Sequence, residues 1–183
     1  MNGVMIARRN ELTSSVLNSL HAFRREVFVN RLGWELPMQE GVERDQYDRD
    51  DTVYLTVRDD NEAVTACARL LPTADGAYML PELFPELLGD RPAPRDTAVW
   101  EMSRFATSVR ASREGRVLSL SQPTLDLLDC VFKFAVKHGI ARLVLVTSIA
   151  IERLLLRAGL DVHRVAAPAP LHGRQCVALY IEC

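Results

Sequence analysis

A chain of 183 residues, 48% hydrophobic and 25% charged, is long enough to bury a full core and has the composition of an ordinary globular protein rather than a disordered one. Its 22 basic and 24 acidic side chains leave a net charge of -2, which gives no support for binding driven by nucleic-acid phosphates. No apolar run approaches the roughly 20 residues that a membrane-spanning helix needs.

The start, Met1 to Arg9, lacks the pattern of a signal peptide, so the expected location is the cytoplasm. Cys67, Cys130, Cys176 and Cys183 are scattered without a CxxC pair and read as reduced, structural thiols. No linker, repeat or low-complexity tract divides the chain, and one domain over 1–183 is expected.

From Thr13 to about Asn30 the residues Val16, Leu20, Phe23 and Val27 recur at helical spacing, with Thr13 or Ser14 as N-cap and Gly33 as the stop. Arg24 and Phe28, four apart, share an edge of that helix. Periodicity is lost from Glu35 to Asp51, where an acid-rich run predicts an irregular loop or single helical turn. The run lacks the spacing and central glycine of an EF-hand. Thr52–Arg58 and Ala63–Leu71 alternate as two strands around the turn residues Asp59 to Glu62, which predicts a hairpin. Arg69 then shares a strand face with Cys67, an unusual place for a cation.

Pro72 to Asp96 is loop-rich, with a helical turn at Leu80–Phe84, and Ala98–Thr107 is a further strand. That strand carries Glu101, Ser103 and Arg104 among Trp100, Met102 and Phe105. Buried charge costs several kcal/mol unless it is paired or used, so these groups either satisfy one another or line a cleft. A helix follows, capped near Ser121, with Pro123 in its first turn and Leu125, Leu128, Phe132 and Ala135 as its apolar stripe. Ala141–Ser148 is a strand, Ile151–Ala158 a short helix, and Val162–Ala166 and Gln175–Glu182 are closing strands around a Pro168-Ala169-Pro170 connector. This order predicts an α/β three-layer α-β-α sandwich with a mixed central sheet. Its cleft should open between two parallel strands, those of Glu101 and Leu143.

Eight of these residues, in this order and spacing, resemble the signature of the LuxI-type acyl-homoserine lactone synthases. They are Arg24, Phe28, Trp34, Asp45, Asp48, Arg69, Glu101 and Arg104. The resemblance covers essentially the whole chain and implies a GNAT-like N-acyltransferase fold. It further implies a quorum-sensing autoinducer synthase. In such an enzyme the amine of S-adenosylmethionine attacks an acyl thioester carried on acyl carrier protein. The product then lactonises with release of methylthioadenosine. The reaction needs no metal, and S-adenosylmethionine is a consumed substrate, so no cofactor is implied.

Under this resemblance Glu101 and Arg104 are the catalytic candidates, Glu101 as general base. Arg24, Phe28, Trp34, Asp45, Asp48 and Arg69 are the S-adenosylmethionine-binding set, supplying carboxylates, guanidinium groups and π faces to a ligand with an amine, a carboxylate and a sulfonium. Ser103 and Thr147 are the acyl-donor contacts, with Thr147 associated with a 3-oxo group. Arg110, Arg113 and Arg116, with Lys133, Lys137, Arg142, Arg153 and Arg157, are candidates for meeting the acidic carrier protein. Met79, Leu125, Leu128, Val146 and Ile149 are candidates for the acyl tail.

Two rivals stay open: a GNAT-fold N-acyltransferase using an acyl-coenzyme A donor, and a non-catalytic module binding an adenosyl or acyl ligand. Since residues 101 and 103 point to one face of a regular strand and 104 to the other, bringing Glu101 and Arg104 together requires a β-bulge, expected near Met102-Ser103.

Overall fold

The computed structural model describes residues 4–36, 38–39, 41–108, 113–114, 117–118, 120–171 and 173–183, with backbone alone at 39, 113–114 and 117–118. The strands in chain order are β1 (Val4–Arg8), β2 (Met38–Gln39), β3 (Val42–Glu43), β4 (Val53–Arg58), β5 (Val64–Pro72) and β6 (Val99–Thr107). They continue with β7 (Arg113–Glu114), β8 (Val117–Leu118), β9 (Arg142–Ser148), β10 (Val162–Arg164), β11 (Ala169–Leu171) and β12 (Arg174–Glu182). The helices are α1 (Ser14–Arg24), α2 (Met79–Leu83), α3 (Gln122–Lys137) and α4 (Ile149–Arg157).

The main sheet runs β1-β4-β5-β6-β9-β12-β10, with β11 also paired to β12. β6 and β9 are its parallel pair, and the remaining pairings are antiparallel. The parallel register runs Val99↔Arg142, Trp100↔Leu143, Glu101↔Val144 and stops there, while β6 continues to Thr107 and β9 to Ser148. The two strands therefore part at Glu101, which opens the sheet between them.

One face of the sheet is dry. Leu127, Leu128, Val131, Phe134 and Ala135 of α3 pack on Leu55, Leu70, Met102, Leu143 and Leu179, with Leu155 of α4 beside them. Each such side chain contributes about 1.5–3 kcal/mol on burial. The stripe predicted for α3 is rotated in part: Leu125 is 37% exposed, and Leu127, Val131 and Phe134 carry the packing.

The other face has two apolar clusters. One packs Val16, Leu20 and Phe28 on Tyr54, Cys67 and Ala106; the other packs Leu80, Leu87 and Leu88 on Leu71, Val99 and Val144. Leu20 is fully buried, and Leu20→Ala would cost about 2–5 kcal/mol.

Several predicted elements change form. α1 is capped by Thr13, whose hydroxyl accepts from Val16 N at 3.4 Å, but it widens into a π-helix over Arg25–Arg31 before Gly33 turns the chain at φ 68°. The acid-rich segment predicted as a loop contains the small hairpin β2–β3. The proline connector forms β11, tolerable because Pro170 lies in a short strand at the end of the sheet. β1, which sequence reasoning assigned to no element, pairs along the whole of Val4–Arg8 with β4.

Candidate active site

Between the two apolar clusters, on the same face, lies a band of charge. Along β5 the inward residues are Cys67, Arg69 and Leu71; along β6 they are Ala106, Arg104, Ser103, Glu101 and Val99. The expected bulge exists but sits further along than predicted. Cys67 pairs with Ala106 and Arg69 with Ser103, so Arg104 and Phe105 together oppose Ala68. Arg104 adopts φ 50°, a left-handed conformation disfavoured for a side-chain-bearing residue. The Cys67 thiol donates to the Arg104 carbonyl at 3.2 Å, pinning the distortion. The consequence is that Glu101, Ser103 and Arg104 all reach one face, while Trp100 and Phe105 pack towards α3, Trp100 edge-on to Phe134 at 6.1 Å.

Three guanidinium groups and three carboxylates meet in this band. Arg24 pairs through Nε with Glu43 and in bidentate fashion with Asp48, at 2.7 and 3.0 Å. Arg69 Nη1 donates to Asp45 at 2.6 Å and Asp48 at 2.9 Å, and its Nε donates to Ser103 Oγ at 3.0 Å. Arg104 bonds Glu43 through Nε and Nη2 at 3.1 and 3.0 Å, and Asp45 at 2.8 Å. Tyr54 OH donates to Asp48, and Asp48 also accepts from Asp45 N at 2.9 Å.

Burial alone would raise the Asp48 carboxyl; Arg24 and Arg69 outweigh that and hold it far below the usual carboxylate range. Charges match three to three, and among the described residues no group of three or more His, Cys, Asp or Glu could hold a metal ion.

Glu43 was absent from the predicted set, although it is buried and touches two of the three arginines. It lies in an acid run without periodicity. The available signal was arithmetic: with Glu101 set aside as the base, Asp45 and Asp48 leave three inward arginines one carboxylate short. Behind it His21, also buried, bonds the Glu43 carbonyl through Nδ1 at 2.9 Å. Burial, then Arg24, lower the His21 pKa, so the ring is biased towards its neutral form.

Glu101 stands apart from this network. It is 2% exposed, and its two oxygens accept from Met79 N at 2.8 Å and Leu80 N at 2.7 Å at the start of α2. It forms no ion pair with Arg69 or Arg104, whose carboxylate partners are Glu43, Asp45 and Asp48. Burial raises its pKa, the two N–H donors and Arg69 pull it partly back, and the balance lies at about 7. It also sits at the last parallel pair, where β6 and β9 diverge.

The remaining candidates divide. Phe28 is buried, stacked on Trp34 at 5.1 Å and covered by the Arg104 guanidinium at 5.5 Å; Trp34 is 42% exposed. Thr147 alternates with Leu143 and Leu145, so it belongs to the α3 face of β9, opposite the charged band. The predicted acyl-tail residues do not form one lining: Leu128 is on the α3 side, Met79 is on the charged side, and Leu125 is partly exposed. Of the basic candidates, Arg110 and Arg116 lie outside the described residues and Arg113 is described by backbone alone. Arg142 lies over the Tyr180 ring at 5.2 Å.

A mixed sheet whose single described parallel pair splays beside a buried carboxylate is the GNAT-like N-acyltransferase architecture. A putative N-acetyltransferase from Lactobacillus plantarum shares it at TM-score 0.64 and 18% identity, covering 99% of each chain, a likeness of fold alone. The autoinducer synthase family matches residues 8–183, and the chain belongs to that family. An acyl-homoserine-lactone synthase from Ralstonia nicotianae is 42% identical over 173 residues, 93% of this chain and 84% of the relative. One from Pseudomonas aeruginosa is 36% identical over 98% of this chain and 88% of its own. The crystal structure of TofI in a ternary complex with an inhibitor and MTA is 40% identical at TM-score 0.82, covering 100% and 91% of the two chains. That of BjaI, a CoA-dependent acyl-homoserine lactone synthase with SAM and isopentyl-CoA, is 30% identical at TM-score 0.84, covering 98% and 83%. The family and fold expected from the sequence are both met.

Proposed function

We propose that this chain is an acyltransferase that makes an N-acyl-L-homoserine lactone from S-adenosylmethionine and an acyl thioester carried on acyl carrier protein. The observation that carries this reading is Glu101: a buried carboxylate poised near neutrality where the parallel strands part, beside a balanced ionic band. A base with a pKa near the working pH is well matched to removing the proton of an amine. Glu101 takes that proton, directly or through a water, and the free amine attacks the thioester carbonyl. The carbonyl π electrons move to oxygen, an oxyanion that N–H groups of β6 beyond the divergence would stabilise. Collapse expels the carrier thiolate, which takes up the proton that the attacking nitrogen sheds, and leaves a neutral amide. The carboxylate of the acylated S-adenosylmethionine then attacks its own γ-carbon and the C–S bond breaks. The lactone and neutral methylthioadenosine depart.

No cofactor enters this scheme, since S-adenosylmethionine is consumed. Both co-substrates belong to the cytoplasm, and that is where the reaction is proposed to run. Thr147 and Ser103 are the proposed acyl-donor contacts, Thr147 on the far side of the opening that the chain would cross. An acidic carrier protein is matched by the exposed Lys133, Lys137, Arg153 and Arg157 of α3 and α4.

A second reading, with coenzyme A as acyl carrier, draws on the likeness to the CoA-dependent BjaI. The two separate in one experiment. The purified protein is given S-adenosylmethionine with a panel of acyl-carrier thioesters or the matching coenzyme A thioesters, and methylthioadenosine and lactone masses are followed. Turnover with carrier thioesters at lower concentration supports the first reading, preference for coenzyme A thioesters the second. Absence of methylthioadenosine with either donor overturns both.

A further inference from the structure

The three arginines of the ionic band differ in how their nitrogens are spent. Arg24 places Nε, Nη1 and Nη2 all on carboxylate oxygens. Arg69 places Nε and Nη1 on oxygen, but its Nη2 meets the thioether of Met79 at 2.9 Å. Arg104 likewise turns Nη1 to the same sulfur, at 3.9 Å, while Nε and Nη2 hold carboxylates. A thioether is a weak acceptor, whereas a guanidinium–carboxylate bond is about twice as strong as a neutral one. Two cationic donors converging on a sulfur mark a place where an anionic oxygen would bind better.

We propose that the Met79 thioether is a displaceable placeholder for the carboxylate of S-adenosylmethionine, which binds at Arg69 Nη2 and Arg104 Nη1. The inference rests on the functional reading above. Arg24 differs in that each of its three nitrogens already faces a carboxylate oxygen, so none of them is turned to a weak acceptor. Methionine suits the task because its unbranched side chain can swing about three torsions while its backbone stays fixed. The backbone must stay fixed here, because Met79 N holds Glu101. The position also suits the chemistry. The carboxylate and amine of an α-amino acid share one carbon, so anchoring the first where the sulfur lies brings the second to the Glu101 side of the band.

The test compares binding of S-adenosylmethionine with its decarboxylated analogue by calorimetry, to the unaltered protein and to Met79→Leu and Met79→Gln, each first checked for cooperative unfolding. Leucine deletes the acceptor at similar volume, so no contact has to be broken, and the dissociation constant for S-adenosylmethionine should fall about fivefold, the worth of one net hydrogen bond. Glutamine supplies a stronger internal acceptor and should raise it about fivefold. The decarboxylated analogue should respond to neither change. Equal shifts for both ligands, or weaker S-adenosylmethionine binding with leucine, would overturn the placeholder. If only one variant folds, its own sign for S-adenosylmethionine and silence for the analogue decide the matter. An unaltered, folded protein that binds neither ligand would instead remove the functional reading, and the placeholder with it.

Discussion

Asp48 and Glu101 are both carboxylates, both almost fully buried, and both on the same side of the sheet, yet they are held in opposite ways. Asp48 is surrounded by two guanidinium groups, a phenol and an amide N–H. Glu101 has two amide N–H groups and, among the described residues, no bonded cation. The first carboxyl is locked as an anion; burial lifts the second to about 7, where it can take and release a proton. The lesson is that a buried acid becomes architecture when its charge is cancelled by ions, and becomes a proton acceptor when only dipoles attend it.

The most damaging way to break this contrast is Arg24→Ala. It leaves Glu43 and Asp48 short of a counter-charge in a dry site and should cost about 3–5 kcal/mol, measured by urea unfolding. A loss below about 1 kcal/mol would show that the network is not architectural. Tyr54→Phe removes only a neutral donor from Asp48 and should cost about 2 kcal/mol in the same assay. Glu101→Gln should act on rate instead. Turnover falls at least about 10-fold, with S-adenosylmethionine binding retained by calorimetry, and full activity in that variant would end its assignment as base.

The smallest effects come from pH and sharpen the contrast by sign. Glu101 is useful as the carboxylate, so kcat/KM should climb about tenfold per pH unit below 7 and level off above it. Its native pKa is raised from 4.5, so the native state holds the proton more tightly than the unfolded one, and its contribution to stability declines as pH rises between those values. Asp48 runs the other way. Its contribution is present above the ordinary carboxylate value of 3.8 and is lost as pH falls below it. Acid titration of unfolding free energy separates the two when repeated on Glu101→Gln.

Much of this was legible from residue patterns. Alternation marked β4, β5 and β6, apolar segments marked β9 and β12, and the juxtaposition of Glu101, Ser103 and Arg104 in a strand announced a site before any pairing was known. What escaped was structure without periodicity. β1 and β11 are short strands that exist because β4 and β12 offer them an edge. The π-helical turn at Arg25–Arg31 depends on packing of Val27 and Phe28 that helical spacing does not encode. Glu43 was hidden because a two-residue hairpin strand leaves no pattern. Its inward turn is set by tertiary partners, Arg24 and Arg104. The role of Met79 escaped for a related reason: an apolar residue type gave no hint that its sulfur faces two cations.

The bulge in β6 has one more consequence. Up to Ser103 the odd-numbered residues look towards the charged band; from Arg104 onward the even-numbered ones do, since Ala106 joins that side and Thr107 meets Thr124 of α3. The strand is thus two half-strands out of phase, and the phase slip hands two adjacent side chains, Ser103 and Arg104, to one surface. Deleting Arg104 would restore a regular pleat and leave Phe105, Ala106 and Thr107 on the faces they now occupy, and the loss would fall on the ionic band alone. In this protein the chemistry resides in the defect: the extra residue is one that the register of the sheet does not need and the ionic band does.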